Sequence, residues 1–201
     1  MKQKSKITDI IFVLDRSGSM GIVREATVKG YNDFLKKYKM GTDKVYVTTV
    51  LFDDEYEVLD MRKNINEVKN LTNKTYYTRG CTALMDAIGK TINLVAKKVA
   101  ECEKVIFVII TDGMENASRE YNKDSVKKLI GEHNNFEFVF MGANIDSYAE
   151  AGSIGIKRKN IANFSQREEN MDKLFKCASM YIDNNVEDFC LQDELANLCD
   201  N

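Results

Sequence analysis

Two apolar runs, Asp9–Leu14 (DIIFVL) and Val105–Ile110 (VIFVII), constrain this chain more than any other feature, and each runs straight into a turn that carries an aspartate. A strand with one face in water alternates apolar and polar side chains. A run without alternation belongs to a strand covered on both faces, as in a parallel sheet between two helix layers. Val45–Phe52 (VYVTTVLF) and Phe136–Met141 (FEFVFM) read as further strands from their β-branched and aromatic content. Helical spacing fills the intervals. Ile22–Tyr38 sets Val23, Ala26, Val28, Tyr31, Phe34 and Leu35 near one face and is expected to end at Gly41. Further helices are expected over Ala83–Ala100, Lys123–Glu132, a short stretch near Asp146–Ala151, and Gln166–Asp183, with a last strand at Ile161–Phe164. Tyr56–Met61 (YEVLDM) follows a turn at Asp53-Asp54 and reads as a hairpin partner at the sheet edge, while Arg62–Arg79 is irregular. The fold class expected is therefore three-layer, Rossmann-like α/β: a mostly parallel central sheet with one antiparallel edge strand and helices on both faces. Such sheets bind ligands at the carboxyl ends of their strands, near the point where strand order reverses. Asp15, Asp112 and Asn144 all fall at expected strand ends.

A chain of 201 residues with 44% hydrophobic content has the material for one such domain. There is no proline and no linker-like stretch, so one domain is expected over residues 1–183, followed by an acidic tail over 184–201. From Asp183 onward the chain carries acidic residues at 183, 187, 188, 193, 194 and 200 and no lysine or arginine. Val186, Phe189, Cys190, Leu195, Leu198 and Cys199 allow that stretch an amphipathic helix, which could pack on the domain or dock elsewhere. A formal net charge of -2 argues against a nucleic-acid partner. The longest apolar run near the start, Ile10–Leu14, is far too short for a membrane span, so no membrane partner is expected. Five cysteines, at 81, 102, 177, 190 and 199, are odd in number and lack CxxC spacing, which points to a reducing, cytoplasmic setting.

The chemistry gathers at the strand ends. Asp15-Arg16-Ser17-Gly18-Ser19 places a carboxylate and two hydroxyls at every second position of one loop, and Gly18 leaves that loop free to turn. Asp112 offers a carboxylate from a second strand end, and Thr82 a hydroxyl from the Gly80-Cys81-Thr82 turn. Carboxylate and hydroxyl oxygens are hard ligands, suited to Mg²⁺, Mn²⁺ or Ca²⁺. A set of such low formal charge would hold a cation weakly and leave room for water or an incoming carboxylate.

These three pieces, Asp15-x-Ser17-x-Ser19, Thr82 in its Gly-x-Thr turn, and Thr111-Asp112-Gly113, resemble the metal-ion-dependent adhesion site of von Willebrand factor A domains. The resemblance spans about Lys6–Asp183 and is nearer to the small stand-alone bacterial members than to the integrin type. It implies that Ser17, Ser19 and Thr82 contact the metal through their hydroxyls, and that Asp15 and Asp112 act through bridging water or by orienting the serines. It also implies that the open position takes an aspartate or glutamate of a partner protein. The function expected is a non-enzymatic, metal-dependent protein-interaction module with Mg²⁺ (or Mn²⁺ or Ca²⁺). The alternative is a metal-dependent phosphohydrolase using the same cation.

Competing readings of the same residues are weaker. A Ser17 nucleophile needs a base, and the only histidine, His133, ends a helix on the amino side of the sheet. A phosphoryl-accepting Asp15 would need a second acid two residues on, where Ser17 stands. No GxGxxG or GxxxxGK[ST] occurs. Asp53-Asp54 reads as turn chemistry and Lys157-Arg158-Lys159 as a solvated loop, whereas Tyr76-Tyr77 and Arg79 are placed to rim the site. Cys102 and Cys177 fall in expected helices as inert fillers, and Cys81 sits at the site mouth.

Overall fold

The computed structural model describes residues 7–41, 44–99, 104–143, 146–183 and 189–200. Asn144 and Cys102, two positions singled out above, lie outside them, as do residues 184–188 of the tail. Six strands form one sheet in the order β3-β2-β1-β4-β5-β6. They are β1 (Thr8–Asp15), β2 (Val45–Phe52), β3 (Tyr56–Asn64), β4 (Lys104–Thr111), β5 (Phe136–Ala143) and β6 (Ile161–Phe164). All pairings are parallel except β2 with β3. The expected sheet and its antiparallel edge strand are thus the ones observed.

The alternation along β1 shows why its sequence is apolar at every position. Ile10, Phe12 and Leu14 enter one core with Tyr31, Phe34, Leu174 and Phe175, while Ile11 and Val13 enter the other with Leu84, Ile88 and Ile92. On the first face lie α1 (Arg24–Lys39), α5 (Glu168–Asp183) and α6 (Leu191–Asp200). On the second lie α2 (Leu84–Ala96), α3 (Lys123–Glu132) and α4 (Ser147–Ser153). α6 belongs to the acidic tail, and its Leu191 and Leu195 are buried against the first core. No helix among the described residues is long and apolar enough to cross a membrane. Cys81, Cys177, Cys190 and Cys199 carry free thiols.

Several boundaries differ from the sequence expectation. The segment after the β1 turn starts as a 3₁₀ helix over Gly18–Val23 and becomes α-helical only at Arg24. α1 closes at Lys39 with Met40 as its C-cap, so it ends just before Gly41 as expected, and Gly41 ends it without a positive φ. α2 stops at Ala96, four residues short of the expected Ala100. β3 continues past Met61 to Asn64 through a register shift, with Arg62 at a positive φ of 45 and its N–H on Thr48 Oγ1 at 3.0 Å.

Candidate functional site

Chain order places β1 between β2 and β4, so strand order reverses there and the carboxyl ends of β1 and β4 lie side by side. Leu14 pairs with Ile110, which sets Asp15 beside Thr111 at the sheet rim. The Thr111 hydroxyl donates to Asp15 Oδ2 at 2.6 Å, and the Ser17 N–H donates to Asp15 Oδ1 at 2.6 Å. Both carboxylate oxygens of Asp15 are thereby fixed, and the Tyr76 hydroxyl donates to its backbone carbonyl. Ser17 Oγ and Ser19 Oγ stand 3.1 Å apart, and Ser19 Oγ donates to Asp112 Oδ1 at 2.6 Å. Four of the five expected site residues, Asp15, Ser17, Ser19 and Asp112, thus form one chain of polar contacts.

Thr82 approaches from a third loop. A Cβ built on Gly113 would lie 2.6 Å from Thr82 Oγ1, so the glycine after Asp112 lets the threonine hydroxyl sit against that loop. Thr82 N–H donates to Asn116 Oδ1 at 2.8 Å, and Asn116 N–H donates back to Thr82 O at 3.0 Å. The turn bearing Thr82 uses Gly80 at a φ of +65, a backbone conformation that strains any residue with a side chain. Gly80 O accepts from Gly18 N at 3.2 Å, which ties this turn to the serine loop.

Two groups at the site were not expected from the sequence. Gln166, just before α5, donates its Nε2–H to Asp112 Oδ2 and to Ser19 O, the latter at 2.7 Å. Asp53, read as turn chemistry, does accept from Glu55 N at 2.6 Å, but it is also fully buried and holds two arginines. Arg16 Nε donates to Asp53 Oδ2 at 3.0 Å and Arg79 Nε to the same oxygen at 2.8 Å. Arg16, at the second position of the serine loop, is only 1% exposed and pairs with Glu57 as well. Tyr77 lies over both guanidiniums, 5.2 Å from Arg16 and 5.5 Å from Arg79. Cys81, next to Thr82 in the chain, is exposed.

Burial pushes the Asp15 carboxyl up to about 6, against the opposing pull of the Thr111 and Ser17 hydrogen bonds, and the charge of Asp112 adds to the rise. Burial also raises Asp112, opposed by its bonds from Ser19 and Gln166. Two carboxyls held above their ordinary range in one pocket would both ionise most readily beside a cation. Among the described residues no three His, Cys, Asp or Glu side chains gather as a metal centre. A cation here would therefore rest on two carboxylates plus hydroxyls, a hard oxygen set that fits Mg²⁺, Mn²⁺ or Ca²⁺. His133 lies far from these strand ends: it caps α3, stacks on Phe136 at 4.9 Å, and its Nδ1 sits 2.9 Å from Leu129 O.

Sheet order, switch point and oxygen-lined loops define an α/β domain of the kind that binds ligands at its strand ends. The von Willebrand factor type A domain family matches residues 9–176, most of the chain, and the chain belongs to that family. No curated protein matches it in sequence. Among solved structures it resembles the pilus adhesin SpaC from Lactobacillus rhamnosus GG in an open conformation, at 14% identity and TM-score 0.72, over 90% of this chain and 30% of that one. It also resembles the von Willebrand factor type A protein from Catenulispora acidiphila, at 13% identity and TM-score 0.60, over 85% and 41%. A third is proximal thread matrix protein 1 from the mussel byssus with a zinc-occupied MIDAS motif, at 15% identity and TM-score 0.62, over 85% and 46%. The chain thus spans less than half the length of each of these three, and at such identities the likeness is one of fold.

Proposed function

We propose that this domain is a non-enzymatic interaction module that binds a divalent cation, Mg²⁺ or a similar hard ion, and through it a carboxylate of a partner protein. One observation carries the reading: the serine pair 3.1 Å apart, tied at Ser19 to Asp112 and set beside a pinned Asp15, all at the reversal point of the sheet. Ser17, Ser19 and Thr82 would hold the cation through hydroxyl oxygens, with Asp15 and Asp112 supplying the negative charge. The bound ion supplies a Lewis-acidic position for an incoming carboxylate. What the residues themselves do is orient: the Ser17 N–H and the Thr111 hydroxyl fix Asp15, and Gln166 and Ser19 fix Asp112.

The only histidine caps α3 away from this site, which favours binding over general-base hydrolysis. The zinc-occupied motif of the byssus protein supports a cation at the matching place. On its cysteine pattern we place the module in a reducing, cytoplasmic setting.

Isothermal titration of Mg²⁺ into chelator-treated protein is the direct test. Saturable one-site heat in the wild type, lost in Asp15→Ala and Asp112→Ala with the fold retained by circular dichroism, is the expected result. Heat that persists unchanged in both variants would remove the site from these residues.

A further inference from the structure

The five residues of the candidate site are not all held in the same way. Asp15, Ser17, Ser19 and Asp112 are each engaged through their side-chain oxygens. Thr82 is only 2% exposed, yet among the described residues no hydrogen bond holds its hydroxyl. A β-branched side chain has few rotamers, so the backbone sets where that hydroxyl lies. Whatever fixes the Thr82 backbone therefore fixes the fifth oxygen of the site.

That backbone leads into α2, which starts without a cap of its own. The first N–H groups of a helix have no partner inside it, and the N-cap side chain ordinarily supplies one. Here the N-cap is Ala83. The acceptors come from elsewhere in the chain. Thr82 N donates to Asn116 Oδ1 at 2.8 Å, Ala83 N to Asp53 O at 2.9 Å, Met85 N to Glu115 Oε2 at 2.8 Å and Asp86 N to Ser118 Oγ at 3.0 Å. All but the second of these acceptors follow Asp112 within one loop. The loop is bound in return. Asn116 N donates to Thr82 O at 3.0 Å, and the Asp86 carboxylate accepts from Arg119 N, Glu120 N and Tyr121 N at 3.1, 2.9 and 2.8 Å. Glu115 is itself held in place, because it also accepts from Ala117 N at 3.0 Å and from Ser118 N and Ser118 Oγ, both at 2.7 Å.

Building on the proposed cation-binding function, we infer that Asn116 and Glu115 are positioning residues for the cation site. They hang the Thr82 turn on the Asp112 loop, so that the threonine hydroxyl and the Asp112 carboxylate meet the ion as one rigid pair. Neither residue acts as a ligand. An ion that must order its own ligands binds more weakly than one offered ligands already joined.

The test is a cycle of Asn116→Ala and Thr82→Ala in the full chain, treated with chelator and then titrated with Mg²⁺ in a calorimeter. Melting temperature in chelator is the second readout. Asn116→Ala is expected to weaken Mg²⁺ binding about tenfold. Asn116→Asp, which keeps the acceptor for Thr82 N, should restore it. In Thr82→Ala no hydroxyl remains to be placed. There Asn116→Ala should change the remaining affinity by less than about twofold, while lowering the melting temperature as much as it does in the wild type. Capping of α2 alone would lower the melting temperature and leave Mg²⁺ affinity untouched. An unchanged affinity in Asn116→Ala, a failure of Asn116→Asp to restore it, or the same tenfold loss in both backgrounds would overturn the positioning role and leave the cation function intact. Where Thr82→Ala binds too weakly to titrate, rescue by Asn116→Asp decides alone. Glu115→Asp is the second variant, for the case that Asn116→Ala does not fold. It keeps the charge but withdraws the carboxylate from Met85 N, and it too should weaken Mg²⁺ binding; an unchanged affinity would overturn the role of Glu115. No Mg²⁺ heat in the wild type would overturn the cation function, and the positioning role with it.

Discussion

Asp53 shows at the scale of a residue how this site is held. Its carboxylate is fully buried, yet it lies between two arginines and accepts a backbone N–H, so no part of its charge is unpaired. Removing that charge leaves the buried Arg16 with only Glu57, whose side chain is half in water. Breaking one partner of a buried pair costs about 3–5 kcal/mol because the survivor stays desolvated and unpaired. Asp53→Asn is expected to lower unfolding free energy in urea by about 3 kcal/mol, and to loosen Tyr77 with it. A loss below about 1 kcal/mol would mean that Glu57 alone neutralises Arg16. The sequence made the alternating oxygens of Asp15, Ser17 and Ser19 visible because they are local: a fixed period of two after an apolar run. The second role of Asp53 was not visible, because it depends on β2 ending beside β1, a pairing between residues 37 apart in the chain. Gln166 carries no local signal either. Its contact with Asp112 spans 54 residues and exists only once β6 has brought the start of α5 to the rim.

At the scale of elements, the approach of α1 to α5 is set by Gly30. A Cβ built there would lie 2.3 Å from Phe175 Cδ2, and Phe175 is itself wedged against Phe12 and Tyr31. Two effects of Gly30→Ala oppose each other. Helix propensity favours alanine by about 1 kcal/mol, and overpacking of a full core costs about 1–3 kcal/mol. Overpacking should win, because the added methyl would meet the ring at 2.3 Å and Phe12 and Tyr31 stand behind that ring. The substitution is expected to lower the melting temperature, and a compensating Phe175→Leu should recover part of the loss; a rise in melting temperature for Gly30→Ala alone would show that the helices can slide apart. The strands were legible because burial on two faces writes itself as an apolar run. Helix ends were less so. The 3₁₀ turn over Gly18–Val23 has the same apolar spacing as the helix it leads into, and α2 stops at Ala96 although its sequence pattern runs on. The extension of β3 to Asn64 rests on a register shift at Thr48 and Thr49, which no periodicity records.

At the scale of the whole molecule, the sheet topology concentrates two carboxyls at one buried point, and that arrangement makes stability depend on pH and cation together. Asp15 ordinarily titrates near 3.8 and is pushed up to about 6 by burial, with the neighbouring Asp112 raised in the same direction. A carboxyl raised on folding binds its proton more tightly in the native chain than in the unfolded one. Its stabilising contribution is therefore complete below pH 3.8 and is lost as pH rises through about 6. For Asp15 the full span is on the order of 3 kcal/mol. In chelator, the melting temperature should accordingly fall between pH 5 and pH 7.5, and Asp15→Asn should flatten that fall. A divalent cation binds the ionised form, so it acts against the same loss. Mg²⁺ should raise the melting temperature more at pH 7.5 than at pH 5, and do little at either pH in Asp15→Asn. Melting curves of the two proteins, with chelator and with Mg²⁺ at both pH values, read all of these differences at once. A wild-type melting temperature that rises with pH in chelator would mean that Asp15 is already neutralised by the protein itself, and the case for a cation at this point of the sheet would lose its electrostatic basis.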